Sequence, residues 1–258
     1  MAQPRAKKSL GQHFLTQRPI CERIVALLHI QAGDRVIEIG PGPGALSSIL
    51  QEAPLKHLVL LEKDNHWAKE RHKHGNAHTQ AVLIDALTMA WQRITPQNPW
   101  KIIGNLPYNV ASPLIWDIVS QCSGLQRAVF MVQKEVGQRL AAAPSCKDYG
   151  GLSVWVQSYV RVTWGFTVGP GAFSPPPKVD SAVLAFEPLP QELLPKQPEK
   201  LAKLIKLCFQ QRRKQLGSIF RQQGLNELAA RLPELGIEPQ LRPENLTPQQ
   251  FQRMAALW

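Results

Sequence analysis

Apolar positions in this chain follow one pattern for about three quarters of its length and another thereafter. In the first part, short apolar runs stand between longer stretches of helical spacing. The runs, with the residue that ends each, are Val36-Ile37-Glu38-Ile39-Gly40, Leu58-Val59-Leu60-Leu61-Glu62, Ala81-Val82-Leu83-Ile84-Asp85, Ile102-Ile103 and Ala128-Val129-Phe130-Met131-Val132. Each reads as a buried strand, and strands alternating with helices predict βαβ units and a mostly parallel sheet. Pro19 marks the start of a first helix, with Ile20, Ile24, Leu27 and Leu28 on one face. Further helices are expected from Ala45, up to Gly75, from near Ser112-Pro113, and over Lys134 to Ala142. Ser153 to Val168 and Val179 to Phe186, rich in Val, Trp, Tyr and Thr, read as late strands closing the sheet as an antiparallel pair. Trp155 and Trp164 fall on them. Beyond Pro188-Leu189-Pro190 and Pro195 no strand pattern survives. Leu201, Leu204, Ile205 and Cys208 mark one helical face, Leu216, Ile219 and Phe220 another, and Thr247-Pro248 caps a last helix. The expected organisation is an α/β domain over 1–187 and a small all-α domain over 188–258, with a proline-rich linker at 188–198.

Composition narrows the class. A chain of 258 residues that is 44% hydrophobic supports a substantial core. No run of 18 apolar residues predicts a spanning helix, and basic Met1 to Leu10 lacks the apolar stretch of a secretory signal. Cys21, Cys122, Cys146 and Cys208 form no Cys-x-x-Cys pair, which predicts reduced thiols in a cytoplasm and no zinc site. The net charge of +11 is spread over both parts, with 19 basic and 13 acidic residues up to Glu187 and 11 and 6 from Pro188. A polyanionic partner is the natural inference, nucleic acid ahead of membrane.

Gly104-Asn105-Leu106-Pro107-Tyr108 brings in the chemistry. It places an amide, a stiff turn and an aromatic ring at the carboxyl end of a strand, where open α/β sheets hold ligands. Such a set suits methylation of the exocyclic amine of a nucleobase. That amine is a poor nucleophile because its lone pair is delocalised into the ring. Stacking on Tyr108, with the Asn105 side-chain oxygen and the Leu106 carbonyl accepting from the amine, would push the nitrogen towards a nucleophilic geometry. The same residues also read as an ordinary turn.

Glu38-Ile39-Gly40-Pro41-Gly42-Pro43-Gly44 is a strand-to-helix glycine loop. It lacks the Gly-Lys-Ser/Thr ending of a triphosphate loop, and its G-x-G-x-G spacing departs from the dinucleotide fingerprint. The third option is S-adenosylmethionine, whose amino-acid tail needs close backbone access. Glu62, 22 residues after Gly40, stands where an acid takes ribose hydroxyls. Asp85 is placed to accept from an adenine amine. Four strand ends thus carry Gly40, Glu62, Asp85 and Asn105 towards one crevice.

Basic clusters add phosphate candidates: Arg212, Arg213 and Lys214 with Lys203 and Lys206, then Arg5, Lys7 and Lys8, and more weakly Arg139 and Lys147. A solvated helix face is the alternative. His66, His72, His74 and His78 lie close in sequence without metal-ligand spacing, and no metal is expected.

These residues resemble the ribosomal RNA adenine N6,N6-dimethyltransferases, on the small-subunit branch whose loss gives kasugamycin resistance. The likeness runs nearly end to end. It includes Gly11-Gln-His-Phe-Leu15, Glu38-Ile-Gly-Pro-Gly42, Asn105-Leu-Pro-Tyr108, Gln133-Lys-Glu-Val136, Lys147-Asp-Tyr-Gly150, Phe173-Ser-Pro-Pro-Pro-Lys-Val-Asp-Ser-Ala-Val183 and Arg212-Arg-Lys214. The resemblance implies a Rossmann-like fold with a mostly parallel seven-stranded sheet and a C-terminal helical domain that contacts RNA. It implies S-adenosylmethionine bound through His13, Leu15, Gly40, Gly42, Glu62, Asp85 and Asn105; many members carry Asn where His13 stands. It implies a target adenine stacked on Tyr108, with Phe173 on its other face and Asn105 and Leu106 beside its amine. The implied substrate is two adjacent adenosines in a hairpin near the 3′ end of small-subunit (16S) ribosomal RNA, methylated during subunit assembly. A monomer is expected in the cytoplasm, since no exposed heptad or strong edge strand asks for a partner and the cysteines read as reduced thiols. The related large-subunit methylases and a non-catalytic RNA-binding assembly or transcription factor on the same fold are the alternatives. Lys147-Asp-Tyr-Gly150 and Arg212-Arg213-Lys214 favour the small-subunit branch over the first, and the intact Asn105-to-Tyr108 segment stands against the second.

Overall fold

The computed structural model describes residues 12–258; Arg5, Lys7, Lys8 and Gly11 lie outside the described residues. Two compact units emerge. One comprises the chain up to Gly137 together with Val162–Pro188, the other Gln138–Arg161 with Leu189–Trp258. The expected domain over 1–187 therefore contains a segment, 138–161, that packs with the C-terminal helices instead.

The first unit runs β1 (Phe14–Leu15), α1 (Arg18–Ala26), β2 (Arg35–Ile39), α2 (Ser47–Glu52), β3 (His57–Glu62), α3 (Asn65–Lys73), β4 (Thr79–Leu83), β5 (Trp100–Asn105), α4 (Ala111–Gln121) and β6 (Leu125–Gln133). α5 (Lys134–Ala141) runs across the division between the units, and the first unit resumes within β7 (Val160–Val168), followed by β8 (Phe173–Ser174) and β9 (Ser181–Pro188). Seven strands form one sheet in the order β4-β3-β2-β5-β6-β9-β7. β2 to β6 are parallel, and β9 returns antiparallel to β6, pairing Ala128 with Phe186 and Gln133 with Ser181. The central strands have both faces covered, so Val36, Ile37, Leu58, Leu60, Ile102, Ile103 and Ala128 to Val132 are all buried. Continuous apolar runs are the sequence form of that arrangement.

The order reverses at β2 and β5, which are neighbours although β3 and β4 follow β2 in the chain. A crevice opens at the carboxyl ends there. Close approach of these two strands needs Gly104, since a Cβ at that position would lie 2.8 Å from the Ile39 carbonyl oxygen.

Two local expectations are corrected. The third strand stops at Leu83, so Asp85 is not a strand residue. It caps a 3-10 turn over Ala86–Thr88, its Oδ1 accepting from the Leu87 amide at 3.1 Å. The segment from Ser153 does not begin as a strand: Gly151–Gln157 is helix α6, and Trp155 packs within it. Phe14 and Leu15 also pair, with Ser174 and Phe173.

In the second unit α6 is joined by α7 (Pro198–Gln210), α8 (Leu216–Gln222), α9 (Asn226–Arg231) and α10 (Pro248–Leu257). The expected faces hold, with Leu201, Leu204, Ile205 and Cys208 of α7 and Leu216, Ile219 and Phe220 of α8 all buried. Phe209 stacks on Phe251 of α10 at 5.8 Å between centroids. Thr247 caps α10, its Oγ1 accepting from the Gln250 amide. Tyr149 is fully buried and donates its hydroxyl to the Leu246 carbonyl at 2.8 Å.

Candidate active site

A cleft of about 980 Å³, counting its open mouth, sits at the carboxyl ends of the parallel strands. His13, Gly40, Gly42, Glu62, Asp85, Asn105, Leu106 and Tyr108 line it, so one cavity collects eight of the residues singled out from sequence.

Its floor is the glycine loop. Gly40, Gly42 and Gly44 have φ of +66°, +49° and +97°, values that favour glycine. A Cβ on Gly42 would also meet the Phe14 ring at 3.0 Å. Two buried carboxyls brace this loop. Glu62 ends β3 and is 5% exposed; its Oε2 accepts from the Gly42 amide at 3.0 Å and its Oε1 from the Asp64 amide at 2.8 Å. Burial raises the Glu62 pKa, and the backbone donors oppose the rise. Glu38 lies beneath, 1% exposed, with Ser47 Oγ donating to it at 2.6 Å. Burial pushes its carboxyl up to about 7, against the hydroxyl and the charge of Arg71.

Asp85 faces the same cleft from beyond β4. Lys63 Nζ contacts its Oδ2 at 2.7 Å, and that contact is the main cause of its lowered pKa.

The other wall is built by the end of β5. Asn105 donates its side-chain amide to the His13 carbonyl at 2.8 Å, which leaves the Asn105 Oδ1 as the acceptor. The Leu106 amide donates to the Met131 carbonyl at 3.0 Å. Pro107 starts a turn whose carbonyl accepts from Val110 and Ala111, leading into α4. Tyr108 is half-buried, its hydroxyl 2.8 Å from Ser181 Oγ of β9 and its ring stacked with His13 at 5.6 Å between centroids. Burial raises the pKa of the phenol, so its hydroxyl stays protonated.

Other sequence candidates are not in the cleft. Leu15 and Phe173 are 7% and 5% exposed, paired across β1 and β8, and belong to the core that includes Ile24, Val36 and Val183. Phe173 thus anchors β1 where the sequence reading had it covering a base. Arg212, Arg213 and Lys214 lie in the second unit. Arg212 is committed internally, with Nε 2.5 Å from Glu244 and a terminal nitrogen 2.7 Å from the Lys147 carbonyl, whereas Arg213 and Lys214 are exposed. No group of three His, Cys, Asp or Glu among the described residues is placed to hold a metal.

Lys63 and Ser181 were missed. Lys63 adjoins Glu62, so a charge flanking a strand end was the available signal. Ser181 had none, because only strand pairing brings it to Tyr108.

The pattern of the ribosomal RNA adenine dimethylase family matches residues 3–258. A ribosomal RNA small subunit methyltransferase A from Nitratidesulfovibrio vulgaris is 55% identical over 251 residues, covering 96% of this chain and 94% of that protein. Its namesake from Oleidesulfovibrio alaskensis is 51% identical, covering 98% and 91%. Among solved structures, a dimethyladenosine transferase from Plasmodium falciparum superposes with a TM-score of 0.82 at 24% identity, covering 94% of this chain and 96% of that one. The 23S rRNA methyltransferase ErmE does so with 0.72 at 24%, covering 94% and 98%. At such identity these two speak for the fold.

Proposed function

The chain belongs to the ribosomal RNA adenine dimethylase family, and from that premise we propose that it dimethylates N6 of two adjacent adenosines in a hairpin near the 3′ end of small-subunit ribosomal RNA. It is an S-adenosylmethionine-dependent RNA adenine methyltransferase. The observation that carries the reading is the union of two half-sites in one cleft. Glu62, Asp85 and the glycine loop form one, Asn105, Leu106 and Tyr108 the other.

The residues present fit the cofactor. Positive-φ glycines allow close backbone approach, Glu62 offers two acceptor oxygens, and Asp85 stands beside Ile84 and Leu87 for an adenine. When bound, S-adenosylmethionine supplies an electrophilic methyl group on its sulfonium. What this chain supplies is placement. Asn105 Oδ1 and the Leu106 carbonyl accept from the target amine and draw its lone pair out of conjugation. Tyr108, its tip held by Ser181, keeps the base flat. No side chain need act as a strong base, since the product amine passes its proton to water. Turning the base out of its stack costs roughly a few kcal/mol, less in a hairpin loop.

In the second unit the exposed Arg213, Lys214, Lys203 and Lys206 are our candidates for phosphate contacts. Among the described residues no helix is long and apolar enough to cross a membrane. We place the protein in the cytoplasm, acting as a monomer during subunit assembly.

The test is methyl transfer from labelled S-adenosylmethionine to small subunits lacking this modification, with large subunits alongside, followed by nucleoside analysis. N6,N6-dimethyladenosine in the small subunit alone is expected. Label confined to the large subunit overturns the substrate assignment.

A further inference from the structure

The His13 side chain makes two contacts at the cleft, and its backbone makes a third. Its ring stacks on Tyr108, 5.6 Å between centroids and 26° between planes, within the range of an attractive offset stack. Its Nδ1 lies 2.8 Å from the Pro175 carbonyl. A carbonyl oxygen only accepts, so Nδ1 carries a proton there. Its own backbone carbonyl receives the Asn105 amide. Phe173, the aromatic expected beside the base, is meanwhile buried in the core.

We propose that His13 is a positioning residue for the target adenine. Its ring backs one face of Tyr108 and leaves the other face to the base, while its main chain aims Asn105. This assignment rests on the adenine methyltransferase reading of the cleft. It divides the residue in two: the backbone aims the Asn105 acceptor at the amine, and the imidazole backs Tyr108 against the base. Tyr108 is then held at its tip by Ser181 and across one face by His13. The Pro175 bond fixes the imidazole, so ring and platform move together. A platform free to tilt would misplace the amine relative to the Asn105 and Leu106 acceptors, and a displacement of about an ångström is costly in such chemistry.

Three variants separate the contacts. His13→Ala removes ring and Nδ1 donor, His13→Asn keeps a donor for the Pro175 carbonyl, and His13→Phe keeps a ring. Each retains the backbone carbonyl. Cofactor affinity is measured by calorimetry, and single-turnover methylation of unmethylated small subunits at saturating cofactor. His13→Ala is expected to bind cofactor within about threefold of wild type and to transfer methyl about tenfold more slowly, from loss of one positioning contact. It should also accumulate N6-methyladenosine relative to the dimethylated product. His13→Phe and His13→Asn should each recover part of the rate. A loss of cofactor affinity with an unchanged saturated rate overturns the assignment, as does a lowered melting temperature with a normal rate per folded molecule. If wild type binds cofactor but labels no small subunit, the methyltransferase reading fails and this assignment with it. If wild type is active and the variants match it, only the role of His13 fails.

Discussion

The two ends of the seven-stranded sheet treat buried charge in opposite ways. At the amino end, Lys101 of β5 sits with only 10% of its side chain exposed and meets Asp34 at 2.6 Å and the His29 carbonyl at 2.5 Å. Arg127 of β6 meets Glu187 of β9 at 2.5 Å and donates to the Leu27 carbonyl. Each cation there has an anion in contact. At the carboxyl end, Glu38 and Glu62 are buried and held by a hydroxyl and by backbone amides, and among the described residues neither meets a cation within ion-pair distance. Burial accordingly raises both carboxyls. One end has settled its charges within the fold, whereas at the other the Glu62 carboxyl lines a cleft and the Glu38 carboxyl lies beneath it. A cofactor with a sulfonium, an ammonium and a ribose diol is the complement of that second arrangement.

The comparison is broken most directly at the amino end. Asp34→Ala should strand the Lys101 ammonium and cost about 3–5 kcal/mol of stability, read by denaturant unfolding, with cofactor affinity unchanged in the folded fraction. A loss below about 1 kcal/mol would show that water reaches Lys101 and that the two ends do not differ.

Glu38→Gln tests the opposite claim. The folded-state carboxyl titrates near 7, above its ordinary 4.5, so between those values the native state holds more protons than the unfolded state. Stability therefore falls as pH rises through that window. The variant should be more stable than wild type at pH 8, by at most about 3 kcal/mol, and the advantage should vanish below pH 4.5. Parallel stability curves for the two proteins would remove Glu38 as a charge held against desolvation.

Smaller effects sharpen the functional side. Glu62→Ala should weaken cofactor binding by about 2 kcal/mol, roughly thirtyfold, from loss of a charged acceptor, while RNA binding survives. Unchanged affinity in calorimetry would take Glu62 out of the ribose role. Tyr108→Ala should retain the cofactor and cut turnover about tenfold, the effect of one lost positioning contact. Near-normal turnover would end the stacking role.

The carboxyl-end site was the more legible of the two ends in sequence. Gly40, Glu62 and Asn105 each follow a continuous apolar run, and a parallel sheet brings successive strand ends to one edge, so linear spacing carries over into space. Asp85 came with them although its strand stops at Leu83, because the turn it caps keeps it at the same edge. The segment Val154-Trp155-Val156 misled for a local reason. Its residues favour strands, but all three are buried within a helix, where tertiary packing overrides propensity. Gly151 starts that helix, and Ser153 in its first turn accepts from the Gly150 amide through its Oγ at 3.0 Å.

By itself, then, the sequence determined the alternating strands of a mostly parallel sheet, the glycine loop, the acids and amide at its edge, the helical faces of α7 and α8, and the cap of α10. These depend on periodicity and on chain neighbours, which the sequence displays. Tertiary structure alone decided that Phe173 is core, that His13 stacks on Tyr108, that Ser181 holds the phenol, and that Arg212 is taken by Glu244. Each of those turns on a partner remote in the chain. Which of several compatible partners a side chain meets is set by the pairing of strands and helices, and no local pattern encodes it.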